Sequence, residues 1–227
     1  MQPWWQSAWP ARCVACAGAA EGRDLCAGCA ADLRQNEPAC PRCAEPLLVP
    51  AIACGRCLRR EPPFASAWAP FRYAAPLDLL VQRLKFSADL AAGRVLSELW
   101  QTHLPPPDRV QADALLAVPL ARARMAERGF NQALELARPL ASQLRLPLHR
   151  GLLQRVRATD PQSGLTRTDR RRNVRGAFRA DPRLRGQRLI VVDDVMTTGE
   201  TLAAVSRALR RVGAARVEVW ALARAGR

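Results

Sequence analysis

Two groups of residues in this 227-residue chain have the types and spacing to do chemistry. The first is a set of eight cysteines, all between positions 13 and 57, forming four Cys-x-x-Cys pairs: Cys13/Cys16, Cys26/Cys29, Cys40/Cys43 and Cys54/Cys57. Two thiolates on one tight knuckle can face the same point, and two knuckles complete a tetrahedron around zinc. The second is the run Leu189-Ile190-Val191-Val192-Asp193-Asp194-Val195-Met196-Thr197-Thr198-Gly199-Glu200-Thr201, an apolar stretch closed by two acids and a hydroxyl-bearing loop.

The cysteines repeat internally. Nine residues separate the first two pairs, ten the second from the third, and ten the third from the fourth. Sequential pairing follows the repeat and gives two zinc ribbons, one from Cys13, Cys16, Cys26 and Cys29, the other from Cys40, Cys43, Cys54 and Cys57. Loop length alone permits an interleaved cross-brace as well. A disulfide framework would need an oxidising compartment, and the segment Met1–Pro10 lacks the charged and continuous apolar regions of a secretory signal. A cytoplasmic protein with two structural zinc ions is the expectation. Neither His103 nor His149 falls at ligand spacing.

The acidic run reads as a central strand, a turn and the start of a helix. Backbone N–H groups at a helix N-terminus, joined by threonine hydroxyls, form a cradle for phosphate. Asp193 and Asp194 would emerge at the carboxyl end of the strand, where open α/β sheets bind ligands. Carboxylates repel phosphate, so they must serve hydroxyls or a metal ion. A ribose 5-phosphate, with its phosphate and its diol, satisfies both halves.

The elements that position these groups follow from periodicity. Helical spacing covers Leu77–Phe86, Ala88–Leu104 and Asn131–Leu146, with a kink expected at Pro139. Strands are expected at Ala114–Val118, Leu152–Val156, Arg188–Val192 and Val217–Leu222, and a helix at Thr201–Val212. This alternation implies a mostly parallel sheet with helices on both faces. Glu61-Pro62-Pro63 reads as a linker, dividing the chain into a zinc module, 1–60, and an α/β domain, 61–227.

The acidic run resembles the phosphoribosyl pyrophosphate motif of type I phosphoribosyltransferases. Along nearly the whole chain the sequence is similar to the ComF/GntX family of competence and DNA-utilisation proteins. The matching pieces are the four cysteine pairs, Leu84-Lys85-Phe86, Val118-Pro119-Leu120, Arg128-Gly129-Phe130-Asn131-Gln132, and the stretch Thr159–Phe178 with Gln162, Leu165, Arg170 and Asn173 to Phe178. The resemblance implies the type I phosphoribosyltransferase fold, phosphoribosyl pyrophosphate bound with Mg²⁺, and a role in DNA uptake or use alongside DNA-uptake and helicase proteins. Under it, Asp193 and Asp194 contact the ribose hydroxyls directly or through Mg²⁺, and Thr197, Thr198, Gly199, Glu200 and Thr201 cradle the 5-phosphate. The turn Val118, Pro119, Leu120 to Arg122 becomes the pyrophosphate loop, and Thr159–Phe178 a flexible loop whose Arg170 and Arg171 meet the pyrophosphate. Purine transferases carry a third acid three positions after the pair. Here that position is Thr197, which brings the motif closer to the orotate-type version.

Charge adds a second class of partner. The formal net charge is +15, carried by 35 basic residues of which Lys85 is the one lysine. Four thiolates and one zinc ion sum to about −2, so two filled sites would lower the total to about +11 and leave the surplus in the α/β part. From Arg155 to Arg188 there are eleven arginines against three aspartates. Such a patch is an anion or nucleic-acid footprint. Three functions are therefore compatible with the chain: a transferase of unspecified acceptor, a single-stranded DNA-binding factor, and a phosphoribosyl pyrophosphate sensor. Lys85, a compact charge in an arginine-rich chain, is expected near the pyrophosphate. No membrane insertion is expected, because the best uncharged stretch, Pro46–Gly55, is ten residues with two prolines and a span needs roughly 20.

Overall fold

A computed structural model describes residues 12–20, 24–157, 174 and 176–226. Its centre is a parallel sheet in the order β1(Ser66–Trp68), β8(Arg216–Arg224), β7(Arg188–Met196), β3(Ala114–Ala117), β4(Leu148–His149), with β2(Phe71–Arg72) also on β8. β7 and β8, nine residues each, are the buried middle strands. Their near-continuous apolar character is what a strand covered on both faces requires.

Side chains alternate along β7 and separate two cores. Leu189 and Val191 face the core of helix α7(Glu200–Arg211), whereas Ile190 and Val192 face the core of helices α3(Leu77–Ser87), α4(Leu90–Gln101) and α6(Gln132–Leu144). α6 runs through Pro139 as one helix. A seven-residue helix, α5(Arg122–Arg128), follows β3. β5(Leu153–Arg155) leaves the main sheet and pairs antiparallel with β6(Phe178–Ala180).

The cysteine knuckles carry two one-turn helices, α1(Ala27–Ala31) and α2(Gly55–Arg59). Too short for cores of their own, the two ribbons join opposite faces of the sheet. Cys13 and Val14 belong to the core of α3, α4 and α6, and Cys40, Cys43, Cys54 and Cys57 to that of α7. Among the described residues, no helix is long and apolar enough to cross a membrane.

Candidate functional site

The expected end of the central strand at Val192 is corrected: β7 continues to Met196, held by β8 through Met196 and Arg224. On its other side, pairing with β3 stops at Ala117 and Val192, where the Val118 N–H donates to the Val192 carbonyl at 2.9 Å. Beyond that rung the chain peels away into the Val118–Ala121 turn. Asp193 and Asp194 thus sit on a strand paired on one flank and open on the other. That gap is the floor of a cleft of about 350 Å³.

Both sides of the cleft are anchored locally. Asn131 caps α6 by accepting from the Ala133 N–H at 3.1 Å, and its Nδ2 donates to the Val118 carbonyl at 3.0 Å. One side chain thereby ties the turn to the helix. Opposite, Gly199 has φ +77°, a conformation that L side chains rarely adopt, so the turn into α7 favours glycine. The Thr198 hydroxyl accepts from the Glu200 N–H at 3.4 Å.

Lys85, Val118, Pro119, Leu120, Asp193, Asp194, Thr197, Gly199, Glu200 and Thr201 all line this one cleft. Two expected residues do not. Thr198 lines a neighbouring cleft toward Cys43 and Arg56, and Arg122 is exposed at the start of α5. Arg124 and Arg128 of the same helix face the cleft instead, together with Tyr73, Phe86, Gln132 and Arg155. Helical spacing at i and i+4 could have placed Arg124 and Arg128 on one face. Tyr73 and Arg155 gave no such signal, since their elements were not legible as neighbours. Arg170 and Arg171 lie outside the described residues.

The charges in the cleft are interlocked. Lys85 Nζ stands 2.8 Å from Asp194 Oδ2. Burial opposes the ammonium, but the adjacent carboxylate more than offsets this and its pKa lies above the ordinary value. Asp193 moves the other way for a carboxyl: burial, then the Asp194 charge, raise it to about 7, against a smaller lowering by Lys85. A cation bound at the pair would favour the ionised form of Asp193.

The eight cysteines are free thiols in two groups, Cys13, Cys16, Cys26 and Cys29, and Cys40, Cys43, Cys54 and Cys57, with the sulfurs of each group within 4.8 Å of one another. Sequential pairing is the observed arrangement. A zinc tetrahedron with Zn–S bonds of about 2.3 Å needs sulfurs about 3.8 Å apart, and Cys16–Cys26 at 3.8 Å and Cys43–Cys54 at 3.6 Å match it. Both groups fit structural zinc. His103 packs against the Phe71 ring and His149 meets Gln187, so neither is a ligand.

Comparison with known proteins agrees with this anatomy. Residues 131–227 match the phosphoribosyl transferase domain model and residues 4–58 the double zinc ribbon domain model. The chain is 40% identical over 209 residues to the DNA utilization protein YhgH of Salmonella typhi, covering 88% of this chain and 90% of that one. It is 35% identical over 225 residues to Competence protein F of Haemophilus influenzae, covering 94% and 97%. Among solved structures, the glutamine phosphoribosylpyrophosphate amidotransferase of B. subtilis complexed with ADP and GMP aligns with 57% of this chain and 26% of its own, at 22% identity and a TM-score of 0.39. The chain belongs to the ComF/GntX family of competence and DNA-utilisation proteins, which join a double zinc ribbon to a domain of the type I phosphoribosyltransferase fold.

Proposed function

We propose that the cleft binds phosphoribosyl pyrophosphate together with Mg²⁺, and that the protein acts as a phosphoribosyltransferase-type enzyme in DNA uptake or utilisation. The observation that carries this reading is the convergence of three separate segments on one cleft: the Val118 turn, the Asp193–Asp194 pair and the Thr197–Thr201 turn into α7. Thr197, Gly199 and Thr201 would take the 5-phosphate, using N–H groups at the start of α7. Asp193 and Asp194 would take the ribose hydroxyls and would be the residues to hold Mg²⁺. That ion would supply charge neutralisation for a departing pyrophosphate.

The remaining roles fall to this chain's own groups. The backbone of Val118, Pro119 and Leu120, with Arg124, Arg128 and Arg155, forms the cationic side suited to a leaving pyrophosphate. Lys85 shares its charge between Asp194 and that side. Two four-cysteine groups that fit zinc, rather than disulfides, would suit the reducing cytoplasm.

Single-stranded DNA is the second ligand we propose, supported by the eleven arginines against three aspartates between Arg155 and Arg188 and by the names its relatives carry. Pyrophosphate release from phosphoribosyl pyrophosphate and Mg²⁺, assayed with and without candidate acceptors and single-stranded DNA, separates an enzyme from a sensor. Thermal stabilisation by the ligand without any pyrophosphate release would assign the cleft to sensing.

A further inference from the structure

The second cysteine ribbon and the phosphate turn share one buried network. Arg224, at the end of β8, is 1% exposed. Its Nη1 donates to the Met196 carbonyl at 2.9 Å and also to the carbonyls of Thr197 and Ala225. Its Nε donates to the Cys43 carbonyl at 3.3 Å, and its Nη2 pairs with Glu45. Arg56, inside the Cys54–Cys57 knuckle, donates from Nη1 to the Thr198 carbonyl at 3.4 Å and lies 4.0 Å from the same Glu45 carboxylate. Three successive carbonyls, of Met196, Thr197 and Thr198, are thus held by two arginines with one common counter-ion.

Glu45 is placed in turn by the other knuckle. The Cys40 N–H donates to the Glu45 carbonyl at 2.8 Å, and the Ala44 N–H to the Cys40 carbonyl at 2.7 Å. A buried guanidinium is costly unless its charge and its donors are satisfied, so the network stands or falls as a unit. In a trans peptide the N–H points opposite to the preceding carbonyl. Holding those three carbonyls toward the arginines turns the N–H groups of Thr197, Thr198 and Gly199 the opposite way.

We infer that the Cys40–Cys57 ribbon, acting through Glu45, Arg224 and Arg56, is the positioning element of the phosphate turn, and that the Cys13–Cys29 ribbon is not. Metal occupancy of one ribbon then sets the affinity of the cleft for a sugar phosphate. Its ligand half rests on the reading of the cleft proposed above, and its structural half does not.

The test uses the full chain in five variants: Glu45→Gln, Arg56→Met and, at the other ribbon, Asp24→Asn, each first confirmed by elemental analysis to hold as much zinc as the wild type, and the ligand-loss variants Cys57→Ser and Cys16→Ser. Amide hydrogen exchange is followed at residues 196–201 without ligand, and phosphoribosyl pyrophosphate with Mg²⁺ is titrated alongside. Losing a charge-assisted bond should speed exchange in that segment about tenfold for Glu45→Gln, with a similar loss of affinity. Arg56→Met should show a smaller change in the same segment, and Asp24→Asn none. Cys57→Ser should reproduce Glu45→Gln, and Cys16→Ser should not. Wild-type exchange at 196–201 in both Glu45→Gln and Arg56→Met would overturn the inference. Failure of the wild type to bind phosphoribosyl pyrophosphate would instead remove the proposed ligand, with the exchange data still deciding the positioning role.

Discussion

Lys85 Nζ lies 2.8 Å from Asp194 Oδ2 across the floor of the cleft, joining α3 to the open flank of β7. This pair keeps two adjacent carboxyls tolerable in a half-buried site. Lys85→Met should destabilise the protein by about 3 kcal/mol, because it strands an uncompensated charge. Mg²⁺ should return part of that loss and stabilise the variant more than the wild type. Thermal melts with and without Mg²⁺ check this, and equal Mg²⁺ shifts in the two proteins would count against the shared site.

Stability should depend on Asp193 in an unusual direction. Burial and the neighbouring Asp194 raise its carboxyl from 3.8 to about 7. Between those values the folded protein keeps a proton that the unfolded chain has lost, so stability falls as pH rises from about 4 to about 7. Asp113 and Asp181, lowered by their hydrogen bonds to Arg188 and Arg183, contribute stability that is lost only below their ordinary range. The two zinc–thiolate sites add stability as pH rises, so the Asp193 effect is read as a difference: urea midpoints should show Asp193→Asn gaining more over the wild type at pH 7.5 than at pH 5.

The two ribbons should release metal in sequence. Cys16 is exposed and Cys26 and Cys29 are half-buried, whereas all four thiols of the second group are buried. Elemental analysis should give two zinc ions per chain. A chelator should remove one before the other, with the early loss leaving the α7 core intact. Simultaneous release would mean that burial does not control access.

If single-stranded DNA binds along the arginine stretch, its affinity should fall steeply with salt. Replacing Arg170, Arg171 and Arg172 with Ala should flatten the logarithmic slope by about two, at roughly 0.7 per neutralised phosphate. An unchanged slope would place the DNA contact elsewhere on the surface.

Much of this architecture was legible in sequence. The cysteine spacing and the apolar run into Asp193 and Asp194 announce themselves because metal geometry and phosphate binding constrain neighbours along the chain. α3, α6 and α7 came out within a few residues because their apolar periodicity is strong. The end of β7 is not legible in sequence, because charged residues at 193 and 194 look like a strand terminus. Only the pairing with β8, far along the chain, shows that the strand continues. Short strands such as β1 and β2 carry too few residues to show a period. Arg224 gave no local signal either, since its partners at Glu45, Cys43 and Met196 are brought together by folding alone.

Calorimetric titration of phosphoribosyl pyrophosphate with Mg²⁺ into wild type and Asp193→Asn decides whether the cleft holds this ligand through the acidic pair. This single change preserves the Lys85–Asp194 pair, which an Asp194 replacement would break. Mg²⁺-dependent binding by the wild type is expected, with at least a tenfold weaker affinity in a folded variant, equal to about 1.4 kcal/mol of lost interaction. Equal affinity in the two proteins, or no binding by the wild type, would contradict it.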